Sequence, residues 1–155
     1  MAKDGANRVV KHTDTHAGMA VAALEDGLLP ISMTSTQLYD EIAFHDYEGV
    51  SLYLHERERL LNALGFAKAM ILRNHGLLTV GRAVPEAFLY LYRLERACQV
   101  QIYAAAAGTL GLLTDNVAAR SREDMKKGLT EKPKGDLEFA ALMRKLDKTD
   151  DSYRN

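Results

Sequence analysis

The stretch "AKAMILRNHGLLTVG", Ala67–Gly81, reads as two apolar runs separated by a turn. Ala69 to Leu72 is a nearly continuous apolar run, short enough for a buried strand, and Leu77 to Val80 is a second. Between them Asn74, His75 and Gly76 carry turn chemistry. The pattern predicts a β-hairpin with His75 riding on its tip.

Outward from this hairpin, strand-like and helix-like segments alternate. Downstream, Pro85 and Glu86 open a helix, the acid sitting where the positive helix end favours it. Its inner stripe is expected to run through Ala87, Leu91, Leu94, Cys98, Ile102 and Ala105, with Gly108 as its end. Upstream, "HERERLLNALG" is a compact helix with Leu60, Leu61 and Leu64 inward and Gly65 as its stop. "IAFHDYEGVSLY" before it reads as strand, bend at Gly49, then strand. Nearer the start, "NRVVKHTDT" suits a short strand, and Ala17, Ala20, Val21 and Leu24 then follow at helical intervals up to Gly27. "LLPISM" reads as a short extended piece and "TSTQ", Thr34–Gln37, as a capping box opening a brief helix. After Gly108, residues 115–135 are polar and predict an exposed helix plus linker. "DLEFAALMRKLDK" resumes helical periodicity through Leu137, Ala140, Ala141 and Leu146. The expected organisation is one domain over 1–155, a core of 1–108 carrying a C-terminal helical extension of 109–155.

The 155 residues are 47% hydrophobic and 26% charged, with a net charge of −1, which suits a soluble globular domain. No basic run interleaved with aromatics points to nucleic acid, and no apolar run of the ~18 residues a membrane span needs is present. The opening "MAKDGANR" has no apolar signal-peptide core. A single cysteine, Cys98, fits a reducing compartment, so a cytoplasmic location is expected.

The chemistry concentrates in "HTDTH". On a strand, His12 and Asp14 point to one side, and His16 joins them if the chain has not yet turned into helix. A divalent metal needs three or four ligands converging on one point, and His75 on its turn can be the third. Taken alone, the spacing favours the blander reading of a solvated polar junction. Elsewhere, His45 and Asp46 form a candidate His–carboxylate pair whose expected role is structural, and His55 opens a charged, solvated helix. Glu95, partly within the apolar stripe, is expected to pair with Arg73 or Arg96. Tyr90, Tyr92 and Tyr103 read as packing or interface residues.

Four segments together resemble the class II aldolase/adducin family: "HTDTHAGMAVAALEDGLLPISMTS", "IAFHDYEGV", "AMILRNHGLLTVGRAVPEAFLYLYRLERACQVQ" and "LEFAALMRKLDKTDDSYR". The resemblance runs from about Asn7 onward. It implies an α/β fold, a three-layer α/β/α sandwich with a central, largely antiparallel sheet, and assembly as a tetramer with active sites between subunits. Enzymes of the family resemble fuculose-phosphate aldolase and use a divalent metal, usually zinc, as a Lewis acid on a sugar-derived carbonyl compound. The ion is held by a His-x-His pair and by the histidine of the Asn-His-Gly turn. Carried over, His12 is the first ligand and His75 the third. The second falls on Asp14, because the family's His-Thr-His-Thr-Arg reads His-Thr-Asp-Thr-His here. Two histidines and a carboxylate suit Zn2+, Mn2+ or Fe2+, and His16 is the substitute for Asp14.

The resemblance also implies an N-terminal part, with phosphate-contacting loops and a proton-handling acid, that the chain is expected to lack. A sheet edge so exposed calls for a second copy or a partner chain to cover it. Tyr153 is the candidate proton donor, acting in a neighbouring active site. Two functions follow as expectations: a metal-dependent lyase for a small, perhaps phosphorylated, sugar-derived substrate, or a non-catalytic adducin-like module serving assembly.

Overall fold

The expected hairpin forms the middle of the sheet. In a computed structural model describing residues 9–49, 54–127 and 134–154, strand β3 (Ala69–Leu72) pairs antiparallel with β4 (Gly76–Gly81), from Ala69 opposite Thr79 to Leu72 opposite Gly76. Asn74 takes the left-handed conformation (φ 56°) that asparagine tolerates, and the His75 amide donates to the Leu72 carbonyl at 3.0 Å. Strand β1 (Val9–Thr13) adds antiparallel to β4, and β2 (Ile42–His45) adds parallel to β3, for the order β1-β4-β3-β2. The fold is α/β, with a mixed and largely antiparallel sheet covered by helices on both sides.

Every residue of β3 is buried, because its two faces feed two different cores. On one face, Ala69, Ile71 and Leu77 pack with Val21 and Ala22 of helix α1 (His16–Ala22). Tyr90, Leu94 and Cys98 of the long α4 (Val84–Ala107) complete that core. On the other, Met70, Leu72 and Val80 meet Leu60 and Leu64 of α3 (Leu54–Leu64). Three short elements complete the described chain: α2 (Met33–Thr36), α5 (Asp115–Lys127) and α6 (Asp136–Asp147), followed by a 3-10 turn at Ser152–Arg154. No helix of the described residues is long and apolar enough to cross a membrane.

Several local expectations shift. Leu28–Met33 is irregular rather than a strand. The capping box lies two residues earlier than expected: Ser32, extended at φ −152°, caps α2, accepting from the Ser35 amide while Ser35 Oγ accepts from the Ser32 amide. In α3, Leu60 and Leu64 face the sheet but Leu61 is exposed, since one position of rotation turns it off a narrow stripe. The strand expected after Gly49 falls on residues outside those described.

In α4 the buried set is Ala87, Leu89, Tyr90, Leu94, Ala97, Cys98 and Gln101. Leu91 and Ile102 flank it half-buried, and Ala105 is exposed in a last turn that carries no buried residue. Gln101 is fully buried because it serves backbone: its Nε2 donates to the Gly27 carbonyl (2.8 Å) and its Oε1 accepts from the Leu29 amide (2.7 Å). Helix α6 packs through Phe139 against Phe88, ring centroids 5.6 Å apart, whereas Leu137, Ala140, Ala141 and Leu146 are exposed. Helix α5 is polar as expected and docks by polar bonds, including Thr36 to Ser121 at 2.9 Å and Arg122 to Glu41 at 2.6 Å.

Candidate metal centre

Sheet register builds the site. His12 lies opposite Leu78 and Thr13 opposite Leu77, so the next residue of the first strand, Asp14, arrives beside Gly76, adjacent to the hairpin tip. Gly76 is needed there: a Cβ on it would lie 2.4 Å from Asp14 Oδ1, 2.6 Å from the Thr13 carbonyl and 3.4 Å from His12 Nε2. The missing side chain is the space into which Asp14 and His12 fold.

Three donor atoms converge on this cradle. Asp14 Oδ1 is 3.2 Å from His12 Nε2 and 3.7 Å from His75 Nε2. The two imidazoles meet edge to face at a 4.9 Å centroid distance, and all three donors lie within 4.8 Å of one another. Ligand atoms held about 2.1 Å from one ion at tetrahedral angles lie about 3.4 Å apart, and the two measured contacts bracket that value. The donor set therefore fits a divalent cation. Side-chain exposures of 36%, 51% and 38% for His12, Asp14 and His75 leave the site open to a small molecule.

Contacts across the chain hold the three in place. The Asn74 amide donates to the Ala22 carbonyl at 3.0 Å, tying the hairpin tip to the end of α1. At the strand-to-helix junction Thr15 donates its hydroxyl to Glu95, whose other oxygen accepts from Gln99 at 2.9 Å. Thr15 thus precedes α1 without capping it through its side chain. The expected partners of Glu95 are engaged elsewhere: Arg73 bonds the Leu24 and Glu25 carbonyls and covers the Phe44 ring, and Arg96 bonds Gln99. Tyr47, which no sequence pattern singled out, places its ring 6.2 Å from His75.

The remaining candidates disperse. His16 is the exposed first residue of α1 and stands outside the converging group. The Tyr153 hydroxyl donates to Asp147 within its own C-terminal segment. Tyr90 is buried and accepts from Lys134 at 3.0 Å, while Tyr92 and Tyr103 are exposed. Burial and the nearby Glu95 push the Cys98 thiol up to about 12, which leaves it an inert core residue. His45 faces Glu48 and Glu56 instead of its neighbour Asp46. The side chain of His55 lies outside those described.

A family model described as "Class II Aldolase and Adducin N-terminal domain" matches residues 2–102. An aldolase II superfamily protein from Pseudomonas syringae superposes with a TM-score of 0.86 at 44% identity, covering 94% of this chain and 59% of that one. L-fuculose 1-phosphate aldolase from Glaciozyma antarctica PI12 gives a TM-score of 0.63 at 31% identity, covering 74% of this chain and 43% of that one. Alpha-adducin from Rattus norvegicus is 40% identical over 152 residues, 90% of this chain and 20% of its own length. The chain spans a little over half the length of bacterial relatives from Pseudomonas aeruginosa and Caulobacter vibrioides, 57% and 56%, each 38% identical. With the family model matching well over half of the chain, the protein belongs to the class II aldolase and adducin family.

Proposed function

We propose that the chain takes part in metal-dependent carbon–carbon bond cleavage of a small sugar-derived carbonyl compound, free or phosphorylated, with His12, Asp14 and His75 as the metal ligands. The observation that carries this reading is the convergence of two imidazole nitrogens and one carboxylate oxygen on the Gly76 cradle. Similarity to an L-fuculose 1-phosphate aldolase supports the reaction class.

A divalent cation bound there, Zn2+ by preference and Mn2+ or Fe2+ as alternatives, supplies Lewis acidity toward a carbonyl oxygen. His12 offers a lone pair from the first strand and His75 from the hairpin turn. Asp14 adds a negative charge where the family has an imidazole, which lowers the net positive charge facing the substrate. Tyr153, at the exposed end of the chain, is the proton donor assigned to the site of a neighbouring copy. That copy, in a homo-oligomer, or a partner chain, also covers the edge of the first strand that has no strand neighbour among the described residues, where Val10 is 58% exposed. The compartment assigned is the cytoplasm.

The test is metal content with activity. His12→Ala and His75→Ala should each lose one equivalent of metal relative to the parent chain, and cleavage of ketose 1-phosphates should disappear with it. Metal content unchanged by both substitutions rejects the ligand set. A second reading, an adducin-like assembly module, rests on the 40% identity to alpha-adducin over 152 residues. It is favoured if metal-loaded protein self-associates yet cleaves none of the ketose phosphates.

A further inference from the structure

His45 ends the β2 strand on the α3 side of the sheet, paired with Leu72, and its side chain is only 9% exposed. Its Nε2 is buried and has no hydrogen-bond partner. An unpaired buried nitrogen costs about 1–3 kcal/mol, so its surroundings need to supply a reason. Facing it are Glu56 Oε1 at 3.7 Å and Glu48 Oε1 at 3.8 Å, the Glu56 side chain being 12% exposed. The three donors lie within 4.8 Å of one another. They line a cavity of about 30 Å³ with Asp46, Tyr47, Leu60, Leu72, Arg73 and His75, room for one small ion or one water.

Charge and distance both point to a cation. Arg59 grips the Glu48 carboxylate with two nitrogens, Nε to Oε1 at 2.8 Å and Nη2 to Oε2, so it orients Glu48 and offsets one of the two negative charges. Glu56, which shares the field of Arg59 without an ion-pair contact to it among the described residues, faces the imidazole nitrogen. A proton shared between them would draw the oxygen in to about 2.7–2.9 Å. At 3.7 and 3.8 Å the contacts are too long for that, and close to the spacing of atoms that share one ion.

We propose that His45, Glu48 and Glu56 form a second divalent-cation site, separate from His12, Asp14 and His75. Histidine with two carboxylates suits Zn2+, Mn2+ or Fe2+. The ligands come from the end of β2, the following turn and the first turn of α3, so the ion pins residues 45–49 to that helix. Tyr47 rides on this turn beside His75, and the second site thereby stiffens the wall of the first.

The experiment uses the full chain with the first centre disabled by His12→Ala and Asp14→Ala, leaving His75 in place because it lines the second cavity. Mn2+ or Zn2+ is added, free metal is removed by gel filtration, and bound metal is counted. The double variant is expected to keep one equivalent, and adding Glu56→Gln is expected to weaken that binding at least about tenfold. Mn2+ line broadening of the His45 ring protons in the double variant locates the ion without a further substitution. A folded double variant that keeps no metal, or broadening that spares His45, overturns the second site. Neither result bears on the first centre, which is tested by its own substitutions.

Discussion

At Gly76 a single hydrogen atom stands where any other residue would put a carbon 2.4 Å from Asp14 Oδ1. Gly76→Ala should therefore displace Asp14 without removing a ligand. Divalent-metal affinity is expected to fall roughly tenfold or more, as for loss of groups that orient ligands, in calorimetric titration against the parent chain. Unchanged affinity would show that the cradle is not used. At this scale the converging donors were legible from His12, Asp14 and the Asn-His-Gly turn. His16 was not, because one residue decides whether a side chain is the last of the extended segment or the first of α1, and only the chain path makes that choice. Gly76 itself read as a turn residue, since nothing local shows what its missing side chain makes room for.

Among the elements, α4 is the spine, and its polar residues decide how loops attach to it. Replacing Gln101 by Leu leaves the Gly27 carbonyl and the Leu29 amide without partners. The expected cost is about 2–4 kcal/mol, read as a lower urea midpoint at unchanged slope. Helix α5 docks through Glu41, whose carboxyl burial pushes up while Arg122 and Lys126 pull it down further, to a net value below its ordinary 4.5. A carboxylate so depressed stabilises the fold above its unfolded pKa, and that contribution fades as the pH falls through the native value. Because solvent screens this partly exposed cluster, Glu41→Gln should lower stability by at most about 1 kcal/mol at pH 7. The difference from the parent should shrink as the pH falls through the depressed native pKa, by thermal melts across the acid range. The periodicity of α4 was legible to within one position of rotation. Gln101 was missed because hydropathy marks glutamine as polar, and its burial depends on two backbone groups 72 and 74 residues away in sequence. The α6 stripe failed for a related reason: Phe139 won the contact through Phe88, and an amphipathic pattern cannot say which of its apolar faces meets a neighbour.

For the whole molecule, the proposed metal binding would be linked to folding, because the first strand and the hairpin bring the candidate donors together only when the sheet is assembled. At a free metal concentration of 100 times Kd, the native state should gain about 2.7 kcal/mol, a rise in Tm of roughly 5–11 °C for a chain of this size. Scanning calorimetry with Zn2+ and with a chelator measures it, and a Tm indifferent to both would break the link. The sequence by itself determined the hairpin and the helical periods. It also marked the chemical nature of the converging donors, all features carried by residues a few positions apart. Only the tertiary structure decided that β2 runs parallel to β3, that Thr15 meets Glu95, and that His45 faces Glu48 and Glu56 rather than Asp46. The physical reason is range: local pattern governs which backbone state a segment adopts, whereas register and the path between segments govern which distant side chains share one point in space.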